Sequence, residues 1–322
     1  MIQVITQNST TGDKFDISNL IGDISWKTQR VGKPAQLDIS ILRDPNVVVE
    51  EGSIISFVKD NVGVFFGYVF KVDFDKSDTI SYVCYDIIRY WLNKDIYVFS
   101  GMTATQIIKK LAIDTKFTIG DLEDTGYVCP TRVEDGSTLL DMACRALSVT
   151  TVNTGKVFVL FDDFGALKLK SIESMKLPIS IGDGQLLTDY KHSRDIDSDT
   201  CNKIILIKTD KATGEKKPYV LQDDVNISKW GKLQYYENVN DDMNEAQINE
   251  KKKQILKSKN RVKKSFTIDC VGDLRIRAGN TIYVNVSDIN INQKFLVETA
   301  EHKFSGGEHT MNLTLWSDFI DK

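Results

Sequence analysis

Across residues 1–87, apolar and polar positions alternate in short runs separated by polar turns. The stretches GSIISFVK (52–59) and GVFFGYVFKVDF (63–74) are rich in β-branched and aromatic residues, with a KDNVG turn between them. Alternation along Phe66, Tyr68, Phe70, Val72 and Phe74 places five large apolar groups on one face of a strand. After the polar DKSD, the run TISYVCYD alternates again at Ile80, Tyr82 and Cys84. The pattern predicts a β-meander belonging to an N-terminal barrel.

From residue 88 the period becomes helical. MTATQIIKKLAIDT (102–115) sets Thr103 and Gln106 at capping-box spacing, and Ile107, Ile108, Leu111 and Thr115 follow on one side. In DGSTLLDMACRALSVT (135–150), Ser137 is the expected N-cap and Leu140, Ala143, Cys144 and Leu147 form the apolar stripe. KVFVLFDDFGALKLKSI (156–172) reads as a hairpin around Asp-Phe-Gly. Residues 88–182 are therefore expected to form a smaller α+β insertion domain, closed by the turn-rich KLPISIGDGQLL.

Strand patterns return over residues 183–322, expected to form a C-terminal β-barrel domain. CNKIILIKTD and KPYVLQDD flank a KATGEK turn; SFTIDCVG, NTIYVNVS, KFLVETAEHKF and HTMNLTLW complete the chain. Residues 241–264 are the long helix candidate, acidic at the start and lysine-rich at the end as the helix dipole prefers. Its thin stripe of Ile248, Ile255 and Val262 suits a surface position.

The two β regions share an order of features. In the first, Gly52 precedes Ile55 and Phe57, then come GYVFKVDF, a polar turn, and Ile80, Tyr82 and Cys84. In the second, Gly279 precedes Ile282 and Val284, then come KFLVETAEHKF, a polar turn, and Met311, Leu313 and Leu315. Identities are few, so the pattern suits either a duplication or two ordinary meanders. A duplication would give two similar tube-like barrels flanking the α+β insertion, a mainly β fold.

Composition adds bounds. A chain of 322 residues exceeds one ordinary core, and 41% hydrophobic with 27% charged residues is normal for a globular protein. A net charge of −4 implies no bulk attraction to nucleic acid or anionic lipid, no apolar run reaches membrane-span length, and the N-terminus lacks the features of a secretory signal. Cys84, Cys129, Cys144, Cys201 and Cys270 are scattered without a Cys-x-x-Cys, which fits reduced, largely buried thiols and a reducing compartment.

Candidate chemistry centres on FLVETAEHKFSGGEHTMNLTLW (295–316), where Glu301-His302 and Glu308-His309 flank Gly306-Gly307. A two-residue loop pairs Phe304 with His309 and His302 with Met311, setting both histidines on one face about 7–8 Å apart. A three-residue loop separates them onto opposite faces. His192 lies far away in DYKHSRDIDSD, read as a solvated loop, so strand residues at a turn are favoured over a metal site and no cofactor is expected. There is no Gly-x-Ser-x-Gly elbow and no phosphate loop; the Asp-Asp pairs at 162, 223 and 241 are expected to cap and solubilise. Eight Lys or Arg in 251–264 lack interleaved aromatics, which favours a solvated helix face over nucleic-acid binding.

Several segments together resemble a known family. SYVCYDIIRYWLNKDIYVFSGMTATQIIKKLA resembles the strand ending in Tyr-Asp and the following helices of phage tail hub proteins. DGSTLLDMACRALSVTTVNTGKVFVLFDDFGALKL resembles their next helix and hairpin. NEAQINEKKKQILKSKNRVKKSFTIDCVGDLRIRAGNTIYV resembles their helix and Gly-Asp, basic, Ala-Gly-Asn turn; FLVETAEHKFSGGEHTMNLTLW resembles their closing hairpin. Over its full length the chain is similar to the XkdQ-like branch of the late-control-D family of contractile phage tails and tail-like particles.

The resemblance implies a homotrimeric baseplate hub, non-enzymatic, joining the hexameric tail tube to the trimeric spike. It also implies contacts with the tape-measure protein and a LysM-type baseplate protein, in a virion or tail-like particle assembled in the bacterial cytoplasm. No lytic module is expected after Trp316. Gly52, Gly272, Gly279, His302, Gly306 and Gly307 stand as its structural signature rather than as a catalytic, metal or cofactor site. The competing readings are a tail-associated peptidoglycan hydrolase, for which Glu301 and Glu308 are the residues to mutate, and a surface-binding module using Trp230 and Tyr235.

Overall fold

A computed structural model describes residues 1–74, 76–209, 213–240 and 243–316. The fold is mainly β, dominated by a 13-stranded sheet in which all described pairings but that of Lys176–Gly182 with Thr281–Val286 are antiparallel where their register is given. The pairings form an open path from Lys14–Asp16 to Leu187–Asp195 and do not close into separate rings. An N-terminal and a C-terminal strand meet in the middle of this path. Ile291–Ser305 pairs with Ile21–Gln29, setting His302 opposite Trp26 and Phe304 opposite Ile24. Phe304 thereby enters the N-terminal core beside Phe57 (ring centroids 5.2 Å), with Ile24, Leu37, Ile55, Phe65 and Cys84.

The alternation expected along Val62–Phe74 is broken by a bulge. Register shifts between Val69 and Lys71, so Phe66, Tyr68 and Phe70 lie on the face away from the core while Val72 turns into it. A single extra residue reverses the facing of everything after it. Phe65 and Val69 supply the core side of the first half.

The α+β part has its own apolar cluster, with Trp91, Ile108, Leu111, Leu140, Ala143 and Leu169 buried. Helix Ala104–Asp114 starts at the expected capping box of Thr103 and Gln106. Helix Leu139–Thr154 is capped by Thr138, whose hydroxyl accepts from Asp141 N, and not by Ser137, whose hydroxyl donates to Glu134. The hairpin Phe158–Asp163/Ala166–Ser171 turns at Phe164-Gly165 with φ of 51° and 89°. KLPISIGDGQLL, expected as a turn, contains strand Lys176–Gly182, paired in parallel with Thr281–Val286. A parallel partner about a hundred residues away leaves no mark on local pattern. DYKHSRDIDSD likewise falls largely in strand Leu187–Asp195, with His192 exposed and its ring 5.9 Å from Phe266.

By contact density the chain divides into Met1–Tyr190 with Thr267–Lys322, and Lys191–Phe266. In the latter, strand Lys203–Thr209 lies between Lys216–Gln222 and Gln234–Asn238. Helix Glu245–Lys259, capped by Asn244 and Gln247, covers one face through Ile248, Ile255 and Leu256. Asp241 and Asp242, in the expected acidic start, lie outside the described residues. Trp230 ends helix Asp224–Trp230, while Tyr235 packs in the core beneath Lys259, so the two do not form an exposed platform.

Candidate functional site

The Gly-rich closing stretch folds as the two-residue hairpin. Gly306 and Gly307 take φ of 58° and 86°, the left-handed pair a type I′ turn requires. Phe304 then faces His309 and His302 faces Met311. His302 is fully buried, and its Nδ1 lies 3.0 Å from His309 Nε2; its Nε2 lies 2.8 Å from the Ile276 carbonyl. His309 stacks on Phe304 (4.2 Å) and His302 lies 5.1 Å from Trp26. Burial, with His309 alongside, pulls His302 down to about 4, and burial with Lys59 nearby pulls His309 down to about 4. Both imidazoles are therefore neutral at neutral pH. Among the described residues no group of three or more His, Cys, Asp or Glu is placed to hold a metal.

What the histidines hold is the segment GDLRIRAGN, residues 272–280. Gly272 donates to the His309 carbonyl (2.8 Å), and a Cβ on Gly272 would come within 2.2 Å of the His309 ring. Beyond Ile276, Arg277 donates to the Asp162 carbonyl (3.1 Å) and lies 3.9 Å over Phe161. Ala278 donates to Thr28 Oγ1 (3.0 Å), and Asn280 Nδ2 donates to the Met175 carbonyl (2.9 Å). One short segment thus ties the N-terminal strands, the α+β part and the closing hairpin together.

Two carboxylates meet this junction. Asp86 caps the turn Ile87–Leu92, accepting from Ile88 N (3.0 Å) and Ala35 N (2.9 Å); burial and the neighbouring Asp162 push it up to about 8. From the sequence alone Asp162 reads as a turn residue that caps and solubilises. It is buried instead, accepts from Gly165 N (3.0 Å), and is raised to about 6 by burial. Turn chemistry draws its oxygen inward and the Arg277 segment covers it. Asp223 does cap, accepting from Val225 and Asn226. Glu301 accepts from Ser25 Oγ (3.2 Å) and lies 3.7 Å from both Lys27 and Lys303, so it serves the sheet face, and Glu308 is exposed.

The two signature glycines ahead of the matched strands are equivalent in detail. Gly52 and Gly279 have φ of 85° and 96°. Gly52 N donates to Val69 O (2.7 Å) and Gly279 N to Val297 O (2.8 Å); Val69 N returns to Ser53 O and Val297 N to Asn280 O (both 2.9 Å). Each long strand then bulges just beyond that valine, at 69–71 and at 297–299. Both open a three-strand meander, 54–59/62–74/79–85 and 281–286/291–305/308–315.

The outward face of the first meander carries an aromatic run absent from the expectations. Phe164 meets Phe66 (5.9 Å), Phe66 meets Tyr68 (6.4 Å), Tyr68 meets Tyr90 (5.4 Å), and Phe70 meets Tyr85 and Tyr90 (5.5 Å each). Arg89 lies 5.1 Å over Phe70, and Phe164 and Tyr90 remain substantially exposed. Elsewhere, an apolar depression of about 270 Å³ is lined by Leu140, Cys144, Leu147 and Phe158, with Arg30 and Trp316 also in its wall. No helix among the described residues is long and apolar enough to cross a membrane.

The YqbQ-like family model matches residues 24–316. The YqbQ protein of Bacillus subtilis is 30% identical over 308 residues, covering 93% of this chain and 91% of its own length. The phage-like element PBSX protein XkdQ of the same organism is 31% identical over 279 residues, covering 85% and 83%. The 43 kDa tail protein of prophage MuSo2 from Shewanella oneidensis shares the fold, with a TM-score of 0.69, 12% identity and 98% of each chain covered.

Proposed function

The chain belongs to the YqbQ-like family, and from that premise we propose that it is the structural hub of a contractile phage-tail baseplate, or of a tail-like particle, joining tube to spike. The observation that supports this most is the matched pair of meanders, each opened by a left-handed glycine and bulged at the same point. Two equivalent units in one chain let a homotrimer present six similar surfaces, which is how a three-fold assembly meets a six-fold one. On this reading each meander rolls into a barrel-like wall, with residues 1–87 and 183–322 supplying the two walls and 88–182 the insertion. The spike lies below, and the tube, the tape-measure protein and the LysM-type baseplate protein are further partners.

The aromatic face suits an assembly contact, because Tyr, Phe and Arg dominate the centres of protein interfaces. Substituting Arg89→Glu together with Tyr90→Ala is expected to lower the trimeric fraction of purified protein in sedimentation velocity. Class averages of the chain bound to its tube protein should show a ring of approximate six-fold symmetry; rings with three-fold features alone, lacking equivalent densities, would count against the matched-meander account. A hydrolase reading has no observation in its favour, and zymography on cell walls is expected to give no clearing.

A further inference from the structure

We propose that the His302–His309 pair is an acid-operated clasp on segment 272–280, closed while the pair carries at most one proton and opened by the second. A carbonyl oxygen only accepts, so the 2.8 Å contact with Ile276 fixes the hydrogen of His302 on Nε2. Neutral His302 therefore offers a bare Nδ1, and His309 must donate to it from Nε2 across 3.0 Å. His309 Nδ1 is then the free acceptor. A first proton can settle there and leave both contacts intact. A second has only His302 Nδ1 to go to, and it would set N–H against N–H at 3.0 Å inside a buried site.

Opening that contact releases more than two rings. His309 also receives Gly272 through its carbonyl and fills the space left by the missing Gly272 side chain. His302 anchors the Ile276 carbonyl, one residue before the Arg277, Ala278 and Asn280 contacts that cross to the other parts of the fold. The charged groups facing the pair are Asp273 and Arg277 from the segment itself, Lys59 at the end of strand Ile54–Lys59, and Asp60 in the turn that follows it. Asp273 is engaged by Arg275 at 2.6 Å, and Trp26 supplies an uncharged wall. Lys59 opposes protonation of His309, while Asp273 favours protonation of both rings.

Linkage gives the sign. Both imidazoles sit near 4 in the closed form against an ordinary 6.5. The advantage of the closed form is therefore whole above 6.5 and is lost as pH falls toward about 4. Release takes up two protons, so its equilibrium constant grows up to about a hundredfold per pH unit in that window, against tenfold for one. This device is independent of the hub assignment.

The test is hydrogen exchange followed by mass spectrometry on the intact chain between pH 7 and pH 4, corrected for intrinsic exchange. Peptides spanning 272–280 should lose protection with the two-proton slope while helix Ala104–Asp114 stays protected. His309→Gln, whose amide can donate to His302 or accept from it, should retain protection of the segment at least one pH unit lower than the wild type. Loss of protection in the segment and the helix together, no loss across the range, or a His309→Gln profile superimposed on the wild type would each overturn the proposal. If that variant does not fold, the wild-type slope decides: uptake of one or two protons on release of the segment sustains the clasp, and no proton uptake refutes it.

Discussion

Gly272 shows how a residue can be fixed by its neighbour and not by its own backbone. No left-handed angle requires glycine there; the His309 ring occupies the place of a Cβ. Gly272→Ala is expected to cost on the order of 1–3 kcal/mol in urea unfolding, the scale of overpacking in a filled site. Gly52→Ala, in open space at φ of 85°, should lose only the backbone term of about 1–2 kcal/mol. At Gly279 the alanine would meet Val159 at 2.9 Å as well as a φ of 96°, so it should be the worse of the pair. Asp86 predicts a pH effect of opposite sign to the histidines. Its carboxyl is raised from 3.8 to about 8, so its contribution is whole below 3.8 and lost as pH rises through 8. Unfolding free energy measured from pH 5 to 8.5 should show a downward component that Asp86→Asn flattens. Gly272 and His309 sit in separate stretches of the sequence, so their contact is not legible there. Burial of Asp162 and Asp86 was illegible, since an Asp beside a turn reads as a cap whether or not another segment later covers it.

Among the elements, the closing hairpin was the most legible. Gly-Gly between alternating strands left two registers, and the type I′ turn selects the one that pairs Phe304 with His309. Gly306→Asn should keep that register, because Asn tolerates the left-handed region. Gly307→Val should lower the melting temperature by several degrees in a thermal scan. Helix Ala104–Asp114 was legible for a similar reason: its capping box is local chemistry. Bulges were not. Phe66, Tyr68, Phe70, Val72 and Phe74 alternate perfectly in the sequence, and only pairing with Thr79–Tyr85 reveals the slip at Phe70 that leaves Phe66, Tyr68 and Phe70 on the face opposite Val72. Lys176–Gly182 escaped for the same reason, its partner strand being remote.

At the level of the whole molecule, a predominance of β structure and two similar meanders could be read from order and spacing alone. That N-terminal and C-terminal strands share one open sheet could not, because the pairing of Ile291–Ser305 with Ile21–Gln29 rests on contacts about 270 residues apart. On the proposed hub reading, this shared sheet, with Ile21–Gln29 and Gln36–Leu42 lying between the two meanders, would join the two walls. Whether three copies assemble is decided by native mass spectrometry of the purified chain, alone and with its spike protein. A species of three chain masses, alone or bound to a spike trimer, is the predicted result. A chain that stays monomeric in both samples contradicts the account.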